Sequence, residues 1–377
     1  MRSILRKTAK IILTLSISSI LITAYEVYKS SNNINSDDNI NNVAEASFMR
    51  AENTNASNEL TNQITPDAIK RIICWGDSIT FGLGAGEGTV NIDGTNTDIS
   101  NWSYPDTLAN FTGLEVYNLG VCSEPSYEIA LRQGGLKMYI EKAVTVKPGK
   151  TSKINIVDSS GNKVELQNFN GYASYNDEPE NLIYIDGIPY QLTSKNGNYY
   201  IAFYDKNASE NVKIKKNSQV VTKAAYDIAN TASDVLIIQM GSNGGWDDYN
   251  TLISQYKAMI DKSGTQCYII IGDTDNPKES IDSESYTDNY EPGLNDTYWE
   301  AALREAFGEH FINMRTYMLE NALDVAGLEA TEKDTYNLSN GLVPESIKFD
   351  YTHMNSYGYY VMGKAVYDKG IELGYWQ

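Results

Sequence analysis

Four short apolar runs, Arg71–Trp75, Leu114–Leu119, Val235–Met240 and Cys267–Ile271, recur along the chain with helical stretches between them. Each is too short for a core helix and too apolar for a strand wetted on one face. Strands of this kind must be covered on both sides, which predicts a parallel sheet between two helical layers. The intervening pattern predicts helices over Pro105–Thr112, Ser126–Gln133, Tyr249–Lys262, Asp296–Phe307 and Asn355–Leu373, with a short strand over His310–Asn313.

Between Ile140 and about Val221 the period changes. Apolar residues alternate at Val144 and Val146, Ile154 and Ile156, Val164 and Leu166, and Ile183 and Ile185, while Ser160-Gly161, Asp186-Gly187 and Asn196-Gly197 supply turns. Half-buried strands joined by tight turns predict a small antiparallel β domain, residues 140–221, inserted into an α/β domain formed by 67–139 and 222–377.

The N-terminus addresses compartment. Arg2, Arg6, Lys7 and Lys10 precede an apolar run from Ile11 to Ala24, the pattern of an export signal over residues 1–24, either cleaved or kept as an anchor. Residues 25–66, rich in Asn, Ser, Asp and Glu, read as a flexible linker. The protein is therefore expected to be secreted or extracellular, with no stable membrane partner beyond that N-terminal segment. Lys plus Arg number 30 against 49 Asp plus Glu, a net charge of −19. This excess repels phosphate backbones, so nucleic acid is not an expected partner. The three cysteines, Cys74, Cys122 and Cys267, form neither a disulfide framework nor a zinc pattern and read as buried thiols.

Chemistry gathers where apolar runs end. Gly76-Asp77-Ser78 follows the first run and puts a serine at the carboxyl end of a strand, the edge at which open α/β sheets bind ligands. A serine hydroxyl needs a base, and Asp350-Tyr351-Thr352-His353, before the last helical stretch, offers an imidazole with a carboxylate to orient it. The chain has only 2 histidines. The other, His310, starts a short apolar strand and reads as structural. Gly241-Ser242-Asn243 ends the third run, where Asn243 could donate to an oxyanion, and Gly120 ends the second, where it could offer a backbone N–H.

In this order the blocks Gly76-Asp77-Ser78, Gly120, Gly241-Ser242-Asn243 and Asp350 with His353 resemble the SGNH, or GDSL-type, hydrolase family. The resemblance spans Arg71 to about Tyr139 and Ala224 to the C-terminus. It implies a three-layer, flavodoxin-like fold with a parallel sheet. It also implies a catalytic triad of Ser78, Asp350 and His353 and an oxyanion hole of the Ser78 and Gly120 amides with Asn243; because N–H donors would hold the oxyanion and the sequence offers no ligand cluster, no cofactor or metal is expected. The chain departs from many members at Gly244, where they carry Asp.

Other motifs fail on spacing. Gly82, Gly84, Gly86 and Gly88 match neither a dinucleotide fingerprint nor a P-loop and read as a mobile rim loop, and the acidic stretch 272–296 lacks the EF-hand pattern and reads as a solvated loop. Trp75, Trp102, Tyr104, Tyr127, Trp246 and Tyr351 adjoin the site motifs and suggest an aromatic rim. The expectation is an exported esterase acting on an acylated small molecule or polysaccharide, chiefly on O-acetyl groups of carbohydrate. The alternatives are a lipase or general acyl esterase, or a glycan-binding, wall-associated module with a residual hydrolase fold.

Overall fold

The computed structural model describes residues 69–166, 181–243, 249–274 and 295–377. The chain divides into two units, Met1–Gln63 and Ile64–Gln377. The expected export signal and linker, residues 1–66, lie outside the described residues.

The second unit begins with β1 (Arg71–Gly76), the one-turn helix α1 (Ser78–Phe81), a hairpin of β2 (Thr89–Ile92) and β3 (Thr95–Asp98), α2 (Tyr104–Thr112), β4 (Glu115–Gly120) and α3 (Ser126–Gln133). Nine short strands follow: β5 (Met138–Ile140), β6 (Val144–Val146), β7 (Ser152–Ile154), β8 (Ile156–Asp158), β9 (Asn181–Ile185), β10 (Ile188–Lys195), β11 (Asn198–Phe203), β12 (Val212–Ile214) and β13 (Gln219–Thr222). The α/β pattern resumes with α4 (Lys223–Asp227), β14 (Asp234–Gln239), α5 (Tyr249–Ser263), β15 (Tyr268–Ile271), α6 (Tyr298–Phe307) and β16 (Phe311–Ile312). It closes with α7 (Met314–Ala326), α8 (Glu332–Ser339) and α9 (Ser356–Glu372).

Five strands form one sheet in the order β16-β15-β14-β1-β4, with every neighbour parallel. The first strand, β1, lies between β14 and the edge strand β4. The chain steps out to β4 on one side and then returns past β1 to β14 on the other, so its winding reverses between β1 and β14. Open sheets bind ligands beyond the strand ends at such a reversal.

Period-2 geometry explains why the apolar runs are continuous. Ile72 and Cys74, with Val235, Ile237, Ile269 and Ile271, pack on the face covered by α2, α7 and α9, while Ile73 and Trp75, with Leu236, Ile238 and Ile270, pack on the face covered by α3, α5 and α6. Each fully buried aliphatic or aromatic side chain contributes about 1.5–3 kcal/mol, so neither face of these strands tolerates a polar replacement.

The segment between α3 and α4 forms an antiparallel sheet in the order β7-β11-β10-β9-β13-β5-β8, with β6 and β12 paired separately. Asp186-Gly187 and Asn196-Gly197, with φ of 52° and 76° and of 52° and 68°, turn β9 into β10 and β10 into β11, the left-handed pair that tight hairpins need. Entry strand β5 pairs with exit strand β13. The segment thus closes on itself and hands the chain back to the parallel sheet. Its core includes Ile140, Ile156, Ile183, Leu192 and Ile201, and Leu131 of α3 joins it. Val164 and Leu166, expected on a strand, are buried in extended chain whose ladder is limited to a Val157–Lys163 bridge.

Two helices were invisible to periodicity. In α7 the buried residues Met314, Arg315, Met318, Ala322 and Ala326 include a charge, which blurs the apolar stripe; its ends are nonetheless marked by an Asn313 cap on the Thr316 N–H and by Gly327 in the left-handed region. In α8 the turn is held by a capping box of Thr331 and Asp334 rather than by apolar burial.

Candidate active site

Ser78 opens α1 directly beyond β1. Asp77 caps that turn, its Oδ1 accepting from the Ile79 N–H at 3.0 Å. The Ser78 amide is a helix-start N–H with no carbonyl one turn earlier to receive it. The Ser78 side chain is nearly buried, and its Oγ lies 2.9 Å from Nε2 of His353.

His353 and Asp350 sit on a tight loop before α9. The Asp350 carboxylate organises that loop, accepting from the N–H groups of Thr352 (2.9 Å) and His353 (2.7 Å), and its two oxygens lie 2.9 and 3.1 Å from Nδ1 of His353. Burial pushes the Asp350 carboxyl up, but the backbone N–H and imidazole of His353 and the Thr352 N–H together hold it below the usual carboxylate range. Asn355 then caps α9 through the Gly358 N–H. Because the buried face of α9 is part of the core beneath β1, packing of the C-terminal helix brings His353 to Ser78 across 275 residues of sequence.

The four blocks do not converge in the same way. Asn243, exposed just beyond β14, donates from Nδ2 to the carbonyl of Glu124 at 3.2 Å. The Gly120 amide, expected to face an oxyanion, instead donates to Oδ1 of Asn118 in its own strand at 3.0 Å. Gly120 is needed for packing: a Cβ there would lie 2.1 Å from the Phe81 nitrogen and 2.7 Å from the Asp77 carbonyl oxygen. The chain leaves β4 through a turn in which the Glu124 N–H donates to the Val121 carbonyl and exposed Ser123 adopts φ 63°.

Sequence reasoning missed the polar layer beneath this surface. Arg132 of α3 and Glu124 are completely buried, with Nε and Nη2 of Arg132 at 2.7 and 2.6 Å from Oε2 of Glu124. Asp77 is also fully buried, and its Oδ2 has no hydrogen-bond partner among the described residues. Burial pushes its carboxyl up to about 8, with the charges of Asp273 and Glu124 adding to the rise against the Ile79 N–H. The available signal was an arginine directly after the apolar Ile129-Ala130-Leu131 of a predicted helix.

Other expectations resolve simply. His310 is structural: Nδ1 lies 3.0 Å from both the Tyr268 carbonyl and the Tyr375 hydroxyl, and the ring stacks on Tyr268. All three cysteines are free and buried, and burial pushes their thiols up. The glycine loop is hydrogen-bonded to α9: Ser356 Oγ donates to the Gly86 carbonyl and accepts from its N–H, and the Tyr359 hydroxyl donates to the Leu83 carbonyl. Gly84, at φ 93°, leaves room for the Phe349 ring, which a Cβ would meet at 2.7 Å.

The aromatic rim is smaller than expected. Trp75 and Tyr104 are core residues, Trp102 is half-buried, and Tyr127 donates to Asp158 of the inserted segment, whereas Tyr351 is exposed, as is Phe349 on the other side of Asp350. Gly244, Trp246 and most of the acidic stretch, residues 275–294, lie outside the described residues. Among the described residues there is no cluster of three or more potential metal ligands. Open hollows of about 610 and 510 Å³ lie on the inserted segment, and neither is lined by Ser78 or His353.

Fold and site together define an α/β protein with a serine, imidazole and carboxylate in hydrogen-bonded series at the carboxyl edge of a parallel sheet. Among solved structures, the chain is similar to a lipolytic protein of the G-D-S-L family from Desulfitobacterium hafniense DCB-2, at 13% identity and a TM-score of 0.37, over 80% of this chain and 99% of that one. It is also similar to a peptidoglycan O-acetylesterase, at 11% identity and a TM-score of 0.28, over 81% of this chain and 91% of that one. No family model and no curated protein matches the chain.

Proposed function

We propose that the protein is an exported serine esterase of the SGNH type, hydrolysing ester groups, chiefly O-acetyl groups on carbohydrate. The observation that carries this reading is the unbroken series from Ser78 Oγ through His353 to the Asp350 carboxylate. With His353 neutral, Nε2 accepts the Ser78 proton as Oγ attacks the ester carbonyl, and Asp350 stabilises the imidazolium that forms. The proton then passes to the leaving alcohol, and water repeats the cycle on the acyl-enzyme. Negative charge on the carbonyl oxygen is met by the Ser78 amide and by an Asn243 N–H not engaged by Glu124. The Gly120 amide could join them only by releasing Asn118.

Export is supported by the basic residues that precede the apolar run Ile11–Ala24. The carbohydrate preference is supported by Phe349 and Tyr351, exposed aromatic rings flanking Asp350, because flat amphipathic rings stack on sugar faces. In this reading residues 140–221 are an inserted β domain beside the hydrolase domain of 67–139 and 222–377. A panel of p-nitrophenyl esters of increasing acyl length and of acetylated oligosaccharides, assayed with the wild type and Ser78→Ala, tests the proposal. Turnover of acetyl esters, lost in Ser78→Ala, is expected. A preference for long acyl chains would move the assignment to a lipase, and undiminished turnover by Ser78→Ala would remove the serine mechanism.

A further inference from the structure

Arg132 is a cation with no exposed surface, hydrogen-bonded to the residue two positions before the proposed nucleophile. Besides its two contacts with Glu124, its Nη2 donates to the Gly76 carbonyl at 3.1 Å, and its guanidinium lies over the Trp75 ring, 5.0 Å from the centroid. Gly76 ends β1 and immediately precedes Asp77-Ser78. The same carbonyl accepts from the Val121 N–H at 3.1 Å, so Arg132 reinforces the joint at which β1 and the end of β4 meet. On its other side the pair holds Glu124, whose backbone carbonyl receives the Asn243 amide at 3.2 Å. One buried ion pair therefore touches the strand end that carries Ser78 and the backbone that orients Asn243.

Such a pair is a poor device for stability alone. Withdrawing both charges from water costs several kcal/mol per ion, and apolar replacements of similar volume are often neutral or stabilising. The Glu124 Oε1 atom, moreover, is buried with no hydrogen-bond partner among the described residues. What the pair supplies that apolar packing cannot is direction: a guanidinium fork fixes a carbonyl and a carboxylate in one plane.

We propose that Arg132 and Glu124 are positioning residues for ester hydrolysis, holding the Ser78 turn and the Asn243 side chain in mutual register. The inference rests on the serine-esterase reading above. Neither residue touches substrate. Their effect falls on the approach of Oγ to the carbonyl carbon and on the aim of the oxyanion donor, where a displacement of about 1 Å lowers rate by roughly a hundredfold. The expected signature is therefore in kcat rather than KM.

The test is the paired apolar variant Arg132→Met with Glu124→Leu, assayed on p-nitrophenyl acetate beside the wild type, Arg132→Lys and Ser78→Ala. The paired variant leaves no uncompensated charge, so its thermal midpoint should match or exceed that of the wild type, while kcat falls roughly ten- to a hundredfold and KM changes by less than about threefold. Arg132→Lys keeps the charge but not the fork and should lie between the two. Adding Asn243→Ala to the paired variant should cost less than the two separate losses multiplied, because both act on one donor. A folded paired variant with wild-type kcat would overturn the inference, as would full multiplicativity with Asn243→Ala. If the paired variant does not fold, Arg132→Lys decides by the same kcat criterion. An active Ser78→Ala would instead remove the esterase reading itself, so the two failures are distinct.

Discussion

Among the described residues, two arginine–glutamate pairs with nearly the same chemistry are buried in different places. Arg132–Glu124 lies under the carboxyl edge of the parallel sheet. Arg315–Glu300 lies between α6 and α7, with Nε to Oε1 and Nη2 to Oε2 both 2.8 Å. Each arginine also donates to backbone. For Arg132 the acceptor is Gly76, beside Ser78; for Arg315 the acceptors are Asn295 and Gly341, the ends of connecting segments. Glu300 belongs in addition to the capping box that starts α6, its Oε2 accepting from the Thr297 N–H. Identical side chains therefore hold different things: the first pair contacts backbone beside Ser78 and Asn243, and the second contacts the start of α6 and the backbone of Asn295 and Gly341.

The largest expected effect isolates the first region from the rest of the molecule. Ser78→Ala and His353→Ala should each lower kcat by about four to six orders of magnitude with no shift in thermal midpoint, measured by ester hydrolysis and calorimetry. Retained activity in either would remove the reactive centre from this edge.

The second effect reverses that pattern. Arg315→Met leaves Glu300 buried without its cation and should destabilise the protein by about 3–5 kcal/mol in denaturant titrations, while the folded fraction keeps wild-type kcat. A matching loss of kcat would erase the distinction between the pairs. Next, Asn243→Ala should lower kcat by roughly two to three orders of magnitude, as for loss of one oxyanion donor, with little change in KM.

A further effect, on stability alone, concerns Asp77, the second buried acid of the first region beside Glu124. Its carboxyl is raised to about 8 in the folded protein from an ordinary 3.8, so the folded state retains a proton that the unfolded chain releases. Stability from this group is full below the ordinary value and is lost as pH rises through that window, by at most about 1.4 kcal/mol per pH unit. Asp77→Asn, which can still accept the Ile79 N–H, should flatten the fall in denaturation midpoint between about pH 4 and 8. An unchanged slope would mean that Asp77 is not the titrating group. The least effect is expected of His310→Ala, which should keep both kcat and its pH profile once folding is verified by circular dichroism.

The parallel sheet and the proposed catalytic blocks were legible in the sequence because their signals are local. An apolar run that serves two cores has one reading, and a Gly-Asp-Ser or Asp-x-x-His block declares its chemistry wherever the chain carries it. Turn residues with positive φ, such as Asn196-Gly197, likewise fixed the hairpins of the inserted segment from two adjacent letters. Other features depend on neighbours distant in sequence. That the Gly120 amide serves Asn118, that Gly84 seats Phe349, that the glycine loop is fastened to Ser356 and Tyr359, and that two arginines are buried beside glutamates were all decided by packing. The physical reason is that a side chain's type sets which partner it can accept, but only the closed fold determines which partner arrives within hydrogen-bond reach and whether water remains to compete for it.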